Sequence, residues 1–296
     1  MSPVMVVKRD LLWACEARPI HVWQYTVPPG ADLEGCTMNV LDSFRLDNQV
    51  AVVTGGAGLY GRQIVQAMAE AGARTFMASR NLEALERQAQ VFRQANLDVT
   101  ALPLDQGDEE SVKRLLVQVL DQAEGVDILV NNAVLRSMAS WASPAADFAR
   151  SMEVNATGVF MMTREFGNHM AERGRGSIIN VGSIYGVVGP DSWLYEGIMD
   201  MGPPDYYFHK GGMIQLTRFA ASKLGPQGVR VNAIAPGGFN PDLLGTEFEP
   251  RYNARTFLGR MANETDLKGL VVFLASDASA YITGASIPVD GGLTAK

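Results

Sequence analysis

QVAVVTGGAGLYGRQIVQAMAEAG, residues 49–72, joins an apolar run to a glycine-rich turn and then to a helical pattern. QVAVV (49–53) has no polar alternation and reads as a strand buried on both faces. Residues 60–71 predict a helix, with Ile64, Val65 and Met68 on one stripe and Gly72 as its stop. Between them, Gly56, Gly58 and Gly61 spell G-x-G-x-x-G. Glycines there allow a tight turn and close approach of the backbone to a pyrophosphate. The free N–H groups and positive dipole of the helix start then hold that anion. The pattern gains weight from its place after the first strand of a strand–helix–strand unit.

Outward from this stretch the alternation continues. RTFMAS (74–79) is a second strand, and Asn81 is placed to cap a helix whose Leu82, Leu85, Ala89 and Phe92 share a face. VTALPL (99–104), DILV (127–130), SIINV (177–181), VRVNAI (229–234) and SIPV (286–289) extend the strand series, with helical stretches between them. Such alternation predicts an α/β fold, a doubly wound parallel sheet with helices on both faces, in one domain over residues 46–296. LVVFLAS (270–276) reads as core or interface. Residues 1–45, with Trp13, Pro19, Trp23, Pro28 and Pro29, follow no period and read as an irregular N-terminal extension.

Composition excludes several classes. The 296 residues are 47% hydrophobic and 19% charged, with 25 Lys and Arg against 32 Asp and Glu, a net charge of −7. No Lys/Arg cluster suggests nucleic acid as a partner. No apolar run reaches the roughly 18 residues of a membrane span, so no membrane partner is expected. Two cysteines, Cys15 and Cys36, make no disulfide framework, and His21, His169 and His209 lack zinc spacing, so no metal is expected. The first thirty residues lack the order of a signal peptide, which points to a reduced, cytoplasmic compartment.

At the end of the second strand, an acidic residue would accept from the 2′-hydroxyl of NAD. Ser79 and Arg80 stand there instead and suit a 2′-phosphate, so NADP is the expected cofactor, with NAD as the alternative. Tyr206 and Lys210 lie four apart at the start of a predicted helix and share a face. An ammonium beside a phenol favours phenolate and suits it to acid–base work. Tyr207, three residues from Lys210, remains open on spacing alone.

From about Leu46 onward the chain resembles the short-chain dehydrogenase/reductase family in its compact single-domain branch. The resemblance rests on TGGAGLYG (54–61), NNAV (131–134), VNATGVF (154–160), INVGSIYG (179–186), YYFHKGG (206–212), RVNAIAPGG (230–238) and PVDGG (288–292), seven motifs in order. It implies a Rossmann-type sheet, a nicotinamide cofactor, alcohol–carbonyl redox chemistry and a homo-oligomer, tetramer or dimer. By the same resemblance Tyr206 is the general acid/base, and Lys210 assists it and holds the nicotinamide ribose. Ser183 bonds the substrate oxygen, and Asn155 supports a proton-carrying water. Gly56, Gly58, Leu59, Tyr60 and Gly61 form the phosphate loop. Asp105 and Gln106 lie near the adenine, Asn132 and Ala133 contact the cofactor after the fourth strand, and Pro236 and Gly238 form the turn beside the nicotinamide.

The chain departs from the family pattern in three places. Leu59 stands where the glycine loop usually has Gly, and Val134 replaces the glycine after NNA. Ser183 and Tyr206 are 23 positions apart, a longer gap than is usual. The added VVGPDSWLYEGIMDMGPPDY reads as a lid or pocket wall, with a subunit-contact loop as the alternative. PDLLGTEFEPRYNARTFLGRM (241–261) is expected to be a mobile substrate loop, and Arg136, Arg251 and Arg255 are candidates to meet a carboxylate or hydroxyls. This arrangement resembles family members acting on sugars, sugar acids and polyols, gluconate 5-dehydrogenase-like enzymes above all. The alternatives are a 3-oxoacyl or hydroxysteroid reductase, a catalytically silent nucleotide-binding protein, and an epimerase or dehydratase with tightly held NAD.

Overall fold

The structure, a computed structural model, describes residues 39–295; most of the expected extension, with Cys15, Cys36 and His21, lies outside the described residues. After a short 3-10 turn at Asp42–Phe44, Leu46 is the first fully buried side chain among the described residues. Seven parallel strands follow: β1 (Val50–Thr54), β2 (Arg74–Ser79), β3 (Val99–Pro103), β4 (Ile128–Asn131), β5 (Gly176–Val181), β6 (Val229–Pro236) and β7 (Ser286–Val289). They form one sheet in the order β3-β2-β1-β4-β5-β6-β7, with every neighbouring pair parallel. Each predicted strand is present, within two residues at either end.

Alternation along β1 assigns its side chains to two layers. Ala51 and Val53 join a core with α1 (Leu59–Glu70), α2 (Leu82–Gln94) and the later apolar helix Lys268–Ala275. Val52 faces the opposite side, against α3 (Glu109–Leu120) and the two long helices that follow β4 and β5. The first of these is continuous from α4 (Ala145–Met152) through one π-helical turn at Glu153–Thr157 into α5 (Gly158–Glu172). After β5, the segment that lengthens the gap between Ser183 and Tyr206 folds into a short α6 (Ser192–Tyr195) before α7 (Pro204–Leu224) begins. After β6 comes α8 (Phe248–Arg255), then the apolar α9 (Lys268–Ala275), whose Val271, Leu274 and Ala275 are core.

A third, small cluster sits apart from the two layers. Leu194 and Tyr195 of the segment before α7 pack with Phe248, Tyr252 and Met261. The two non-standard segments therefore support each other rather than hanging separately from the sheet.

On α2, Asn81 caps as expected, its Oδ1 accepting from Ala84 N at 3.0 Å. Leu85, Ala89 and Phe92 are buried, but Leu82 is 42% exposed. The expected four-residue face is thus a three-residue face, because Leu82 occupies the first helical turn, ahead of the point where the helix meets the sheet. Leu85→Ala should cost about 2–5 kcal/mol of unfolding free energy, and Leu82→Ala less than about 1 kcal/mol, as read by denaturant melts. Similar losses for the two would contradict this placement.

Candidate active site

The crevice opens at the C-terminal edge of the sheet, where chain connections depart in opposite directions from the adjacent β1 and β4. Thr54 and Asn132 fasten that point. Thr54 Oγ1 accepts from the backbone N–H groups of Asn132 and Ala133 at 3.0 and 2.9 Å. In return Asn132 Nδ2 donates to the carbonyls of Thr54 and Gly55 at 2.9 and 3.1 Å. Asn132 lines the crevice, but its amide nitrogen serves the glycine loop.

In that loop the left-handed turn belongs to Gly55, with φ of +67°. Gly61 allows the close approach: a Cβ there would lie 2.1 Å from the Gly55 carbonyl oxygen. Gly58 is the N-cap of α1, and Leu59, Tyr60 and Gly61 open the helix along the crevice. Gly56 departs from the expectation. It is buried beneath the loop, where a Cβ would meet Met77 Cβ at 2.7 Å, so it serves helix–sheet packing and does not line the crevice. The role given to Gly56 belongs to Gly55. TGG offers two glycines, and only the geometry shows which one takes positive φ.

The crevice has a volume of about 850 Å³, in the range of small-molecule sites. At one end lie Ser79, an exposed Arg80, Asp105 and Gln106. Among the described residues Arg80 has no ion-pair partner. Asp105 Oδ1 accepts from Gly107 N at 3.0 Å, and the buried Gln106 Oε1 has no partner. A glycine cradle that a Cβ would fill, a helix start and this free guanidinium together fit a dinucleotide carrying phosphate groups.

At the other end β5, α7 and the turn after β6 converge. Ser183, Tyr206, Lys210, Pro236 and Gly238 all line this region. Lys210 is 3% exposed, and its Nζ donates to the Val181 carbonyl at the end of β5. Its Nζ lies 5.7 Å from the Tyr206 ring centroid, and the Arg136 guanidinium lies over the same ring at 5.0 Å. Burial, and then repulsion from Arg136, pulls the Lys210 pKa down to about 7. His209, edge-on to Tyr206, is held neutral: burial and then Lys210 lower its pKa to about 3.

Tyr207, the other tyrosine left open by spacing, donates its hydroxyl to the Met201 carbonyl and stacks on Tyr185. Tyr60 donates to the Gly237 carbonyl at 2.7 Å and packs on Phe239, joining the glycine loop to the turn after β6. Tyr252 accepts from Gly238 N on the other side of that turn.

The Asn155 side chain is committed to the neighbouring backbone. It sits in the π-helical turn, 2% exposed, and its side chain does not line the crevice. Its Oδ1 accepts from Leu135 N at 2.8 Å and its Nδ2 donates to Leu135 O at 2.7 Å and Ser151 Oγ at 2.9 Å. The amide thus completes the backbone of the loop that carries Arg136. Arg251 and Arg255 are likewise committed elsewhere. Arg251 donates to the carbonyls of Trp193 and Glu196 at 2.9 and 2.7 Å. Arg255 pairs with Asp191 at 2.7 Å and lies 4.4 Å from the Trp193 ring centroid. Of the three candidate arginines, only Arg136 lines the crevice.

Sequence reasoning missed a buried polar string beneath the site. Asn131 Nδ2 donates to Asn180 Oδ1 at 2.8 Å and to Thr163 Oγ1 at 3.2 Å, and Asn180 Nδ2 donates to Thr217 Oγ1 at 2.8 Å. It ties β4 and β5 to α5 and α7. The signal was a polar residue inside each of two apolar strands.

No helix among the described residues is long and apolar enough to cross a membrane, and no cluster of His, Cys, Asp and Glu there could hold a metal ion.

The family described as Enoyl-(Acyl carrier protein) reductase matches residues 58–294. An uncharacterized oxidoreductase of Thermotoga maritima is 35% identical over 265 residues, covering 85% of this chain and 98% of its own length. The galactitol 2-dehydrogenase of Rhizobium johnstonii is 34% identical over 266 residues, covering 87% and 99%. Among solved structures, a gluconate 5-dehydrogenase from Burkholderia cenocepacia in complex with NADP and tartrate superposes with a TM-score of 0.78. It is 30% identical and the match covers 86% of this chain and 99% of that one.

A lysine whose folded pKa is about 7, against 10.5 ordinarily, binds its proton less readily in the folded than in the unfolded chain. Its charge therefore costs stability in full below about pH 7, and the cost fades as pH rises towards 10.5. Lys210→Met should raise the unfolding midpoint at pH 6–7, by roughly 2 kcal/mol or about 4–8 °C. The advantage should shrink as pH approaches 10. A lowered midpoint at pH 6–7 would contradict this reading.

Proposed function

The chain belongs to the short-chain dehydrogenase/reductase family of NAD(P)-dependent oxidoreductases, and from that premise we propose that it interconverts a secondary alcohol and a ketone on a polyol, sugar or sugar acid. The observation that carries the reading is the convergence of Ser183, Tyr206 and Lys210, beneath Arg136, at one end of a crevice whose other end fits a dinucleotide.

In the oxidative direction, the substrate hydroxyl is held by Ser183, whose own Oγ accepts from Tyr185 N at 3.1 Å and keeps its proton for the substrate. Tyr206, entering the step as phenolate, takes the hydroxyl proton and becomes the phenol, and the cations of Lys210 and Arg136 stabilise the phenolate charge beforehand. A nicotinamide held in the crevice would supply the hydride acceptor for the carbinol carbon. In the reductive direction Tyr206 returns the proton to the carbonyl oxygen. Leu59, Tyr60 and the α1 N-terminus would hold the pyrophosphate, Lys210 the ribose, and Ser79 with Arg80 a 2′-phosphate, favouring NADP.

The substrate class rests on the wall of the crevice. Tyr185, Tyr195, Tyr207 and Tyr252 line it, and Arg136 is a guanidinium able to meet a carboxylate. An acyl-chain groove would instead call for a continuous aliphatic lining. The names of relatives acting on galactitol and gluconate support the same class.

Tyr206→Phe should lower kcat by about 10²–10⁴ on a polyol or aldonate panel, followed by nicotinamide absorbance. Tyr207→Phe, which removes bonds to Met201 O and Tyr195, should cost less than about tenfold. The reverse order would transfer the acid–base role to Tyr207. Arg80→Ala should weaken NADPH binding by about 10–100-fold and NADH binding far less, as read by fluorescence titration. Equal losses for the two would show that Arg80 does not recognise a 2′-phosphate.

A further inference from the structure

Arg136 is fastened on both sides along the chain and left free at its tip. The residue before it, Leu135, is bonded through both its N–H and its carbonyl to the Asn155 amide, at 2.8 and 2.7 Å. The residue after it, Ser137, donates its hydroxyl to the Asp147 carbonyl of α4 at 2.8 Å, and Met138 beyond it is buried. The guanidinium itself makes no hydrogen bond or ion pair among the described residues. It lies 5.0 Å from the Tyr206 ring centroid and lines the crevice. A rigid backbone thus carries an unengaged fork to the reacting end of the site.

The charges at that end do not balance. Lys210 and Arg136 both stand beside Tyr206, and a phenolate there answers one cation of the two. Lys210 is buried and already donates to the Val181 carbonyl, so the exposed fork of Arg136 is the one open to a ligand. Two carboxylates line the crevice. Asp105 lies at the dinucleotide end, where its Oδ1 accepts from Gly107 N, and Asp200 is exposed on the segment before α7. Among the described residues neither pairs with Arg136. His209, edge-on to Tyr206, adds no charge, because burial and then Lys210 hold it neutral. A cleft with an excess of one sign of charge gathers ligands of the other, and a planar guanidinium matches a carboxylate in shape.

We propose that Arg136 is the residue that selects the substrate by charge, binding its carboxylate so that the enzyme prefers hydroxy and keto acids to neutral polyols and sugars. The inference rests on the alcohol–ketone chemistry assigned to this crevice and narrows its substrate. An acid is held at two points, by its carboxylate on Arg136 and by its reacting oxygen at Ser183 and Tyr206. Two-point holding fixes which carbon is presented for hydride transfer. A neutral polyol keeps the second hold and loses the first. Because the guanidinium is exposed, water competes for it, and the preference is set near the low end for a charge-assisted pair, about tenfold. Arg251 and Arg255 cannot take this part, since Trp193 O, Glu196 O and Asp191 occupy them.

The test pairs D-gluconate with D-glucitol and D-galactonate with galactitol, molecules that differ only at the carboxylate carbon. Wild type, Arg136→Gln and Arg136→Lys are compared in kcat/KM with NADP. They are also compared in the Kd of each molecule for the NADPH-loaded protein, in which no alcohol can be oxidised. Wild type should favour at least one acid over its alditol by about tenfold in both readouts. Arg136→Gln should slow both members of that pair by removing a cation beside Tyr206, and should lose about tenfold more on the acid in KM and Kd. Arg136→Lys, which keeps the charge without the fork, should recover part of that difference. NADPH affinity within about twofold of wild type shows that each variant is folded. Equal losses on acid and alditol would overturn the proposal, because Arg136 would then serve Tyr206 alone. So would a wild type that handles the alditols as well as the acids, or that binds none of the four. Tyr206→Phe separates the two levels, since it should abolish turnover and leave acid binding to the NADPH-loaded protein in place. If turnover survives it while Arg136→Gln shows its acid-selective loss, the acid–base reading falls and the carboxylate subsite stands. If turnover is abolished while Arg136→Gln treats both members of the pair alike, only the subsite is lost.

Discussion

The reciprocal bonds between Thr54 and Asn132 fix the point at which this molecule has a crevice at all. Parallel strands joined by right-handed crossovers place α1 and α2 on one face of the sheet and α3, α5 and α7 on the other. The faces part between β1 and β4, and there the chain must end two strands side by side with their last polar groups satisfied. Thr54 Oγ1 takes two backbone donors, and the Asn132 amide takes the two carbonyls that begin the glycine loop. Gly55 can then turn into the left-handed region and Gly61 can pass its carbonyl.

A second constraint is electrostatic. The site buries an ammonium whose protein acceptor among the described residues is the Val181 carbonyl, and sets a guanidinium over the same phenol ring. Neither arrangement favours folding, since desolvation and like-charge repulsion both act against Lys210. The polar string from Asn131 through Asn180 to Thr217 ties α7, which carries Lys210, to the sheet. Around this charge stand phenols made harder to ionise by burial: Tyr60, Tyr185, Tyr207 and, at about 12, Tyr252. They serve as donors and struts rather than as bases.

The strand–helix series was legible because each apolar run and cap is local: Asn81 as a cap and SIPV as a final strand needed no tertiary information. The converging crevice was legible for a related reason, since its motifs lie at strand ends that a parallel sheet must bring to one edge. What escaped depends on non-local contacts. Gly55 and Gly56 look alike in sequence, and only Met77 beneath and Ala133 beside them assign their tasks. Asn155 reads as a site residue, yet its partner is the backbone of Leu135, twenty positions away. Arg251 and Arg255 look like candidates for a carboxylate, and the carbonyls and Asp191 that occupy them belong to a segment some sixty residues earlier. The hydrogen-bonded Tyr185–Tyr195 pair in the crevice wall has no sequence signature, because one member comes from a family motif and the other from the segment that departs from it.

A crystal structure of the protein with NADP and a polyol or aldonate tests the central claim most directly. The account predicts the 2′-phosphate against Ser79 and Arg80 and the pyrophosphate at the N-terminus of α1. One substrate oxygen should lie within hydrogen-bond distance of both Ser183 Oγ and the Tyr206 hydroxyl. A dinucleotide bound outside the crevice, or a substrate oxygen addressed by Tyr207 and remote from Tyr206, would contradict it.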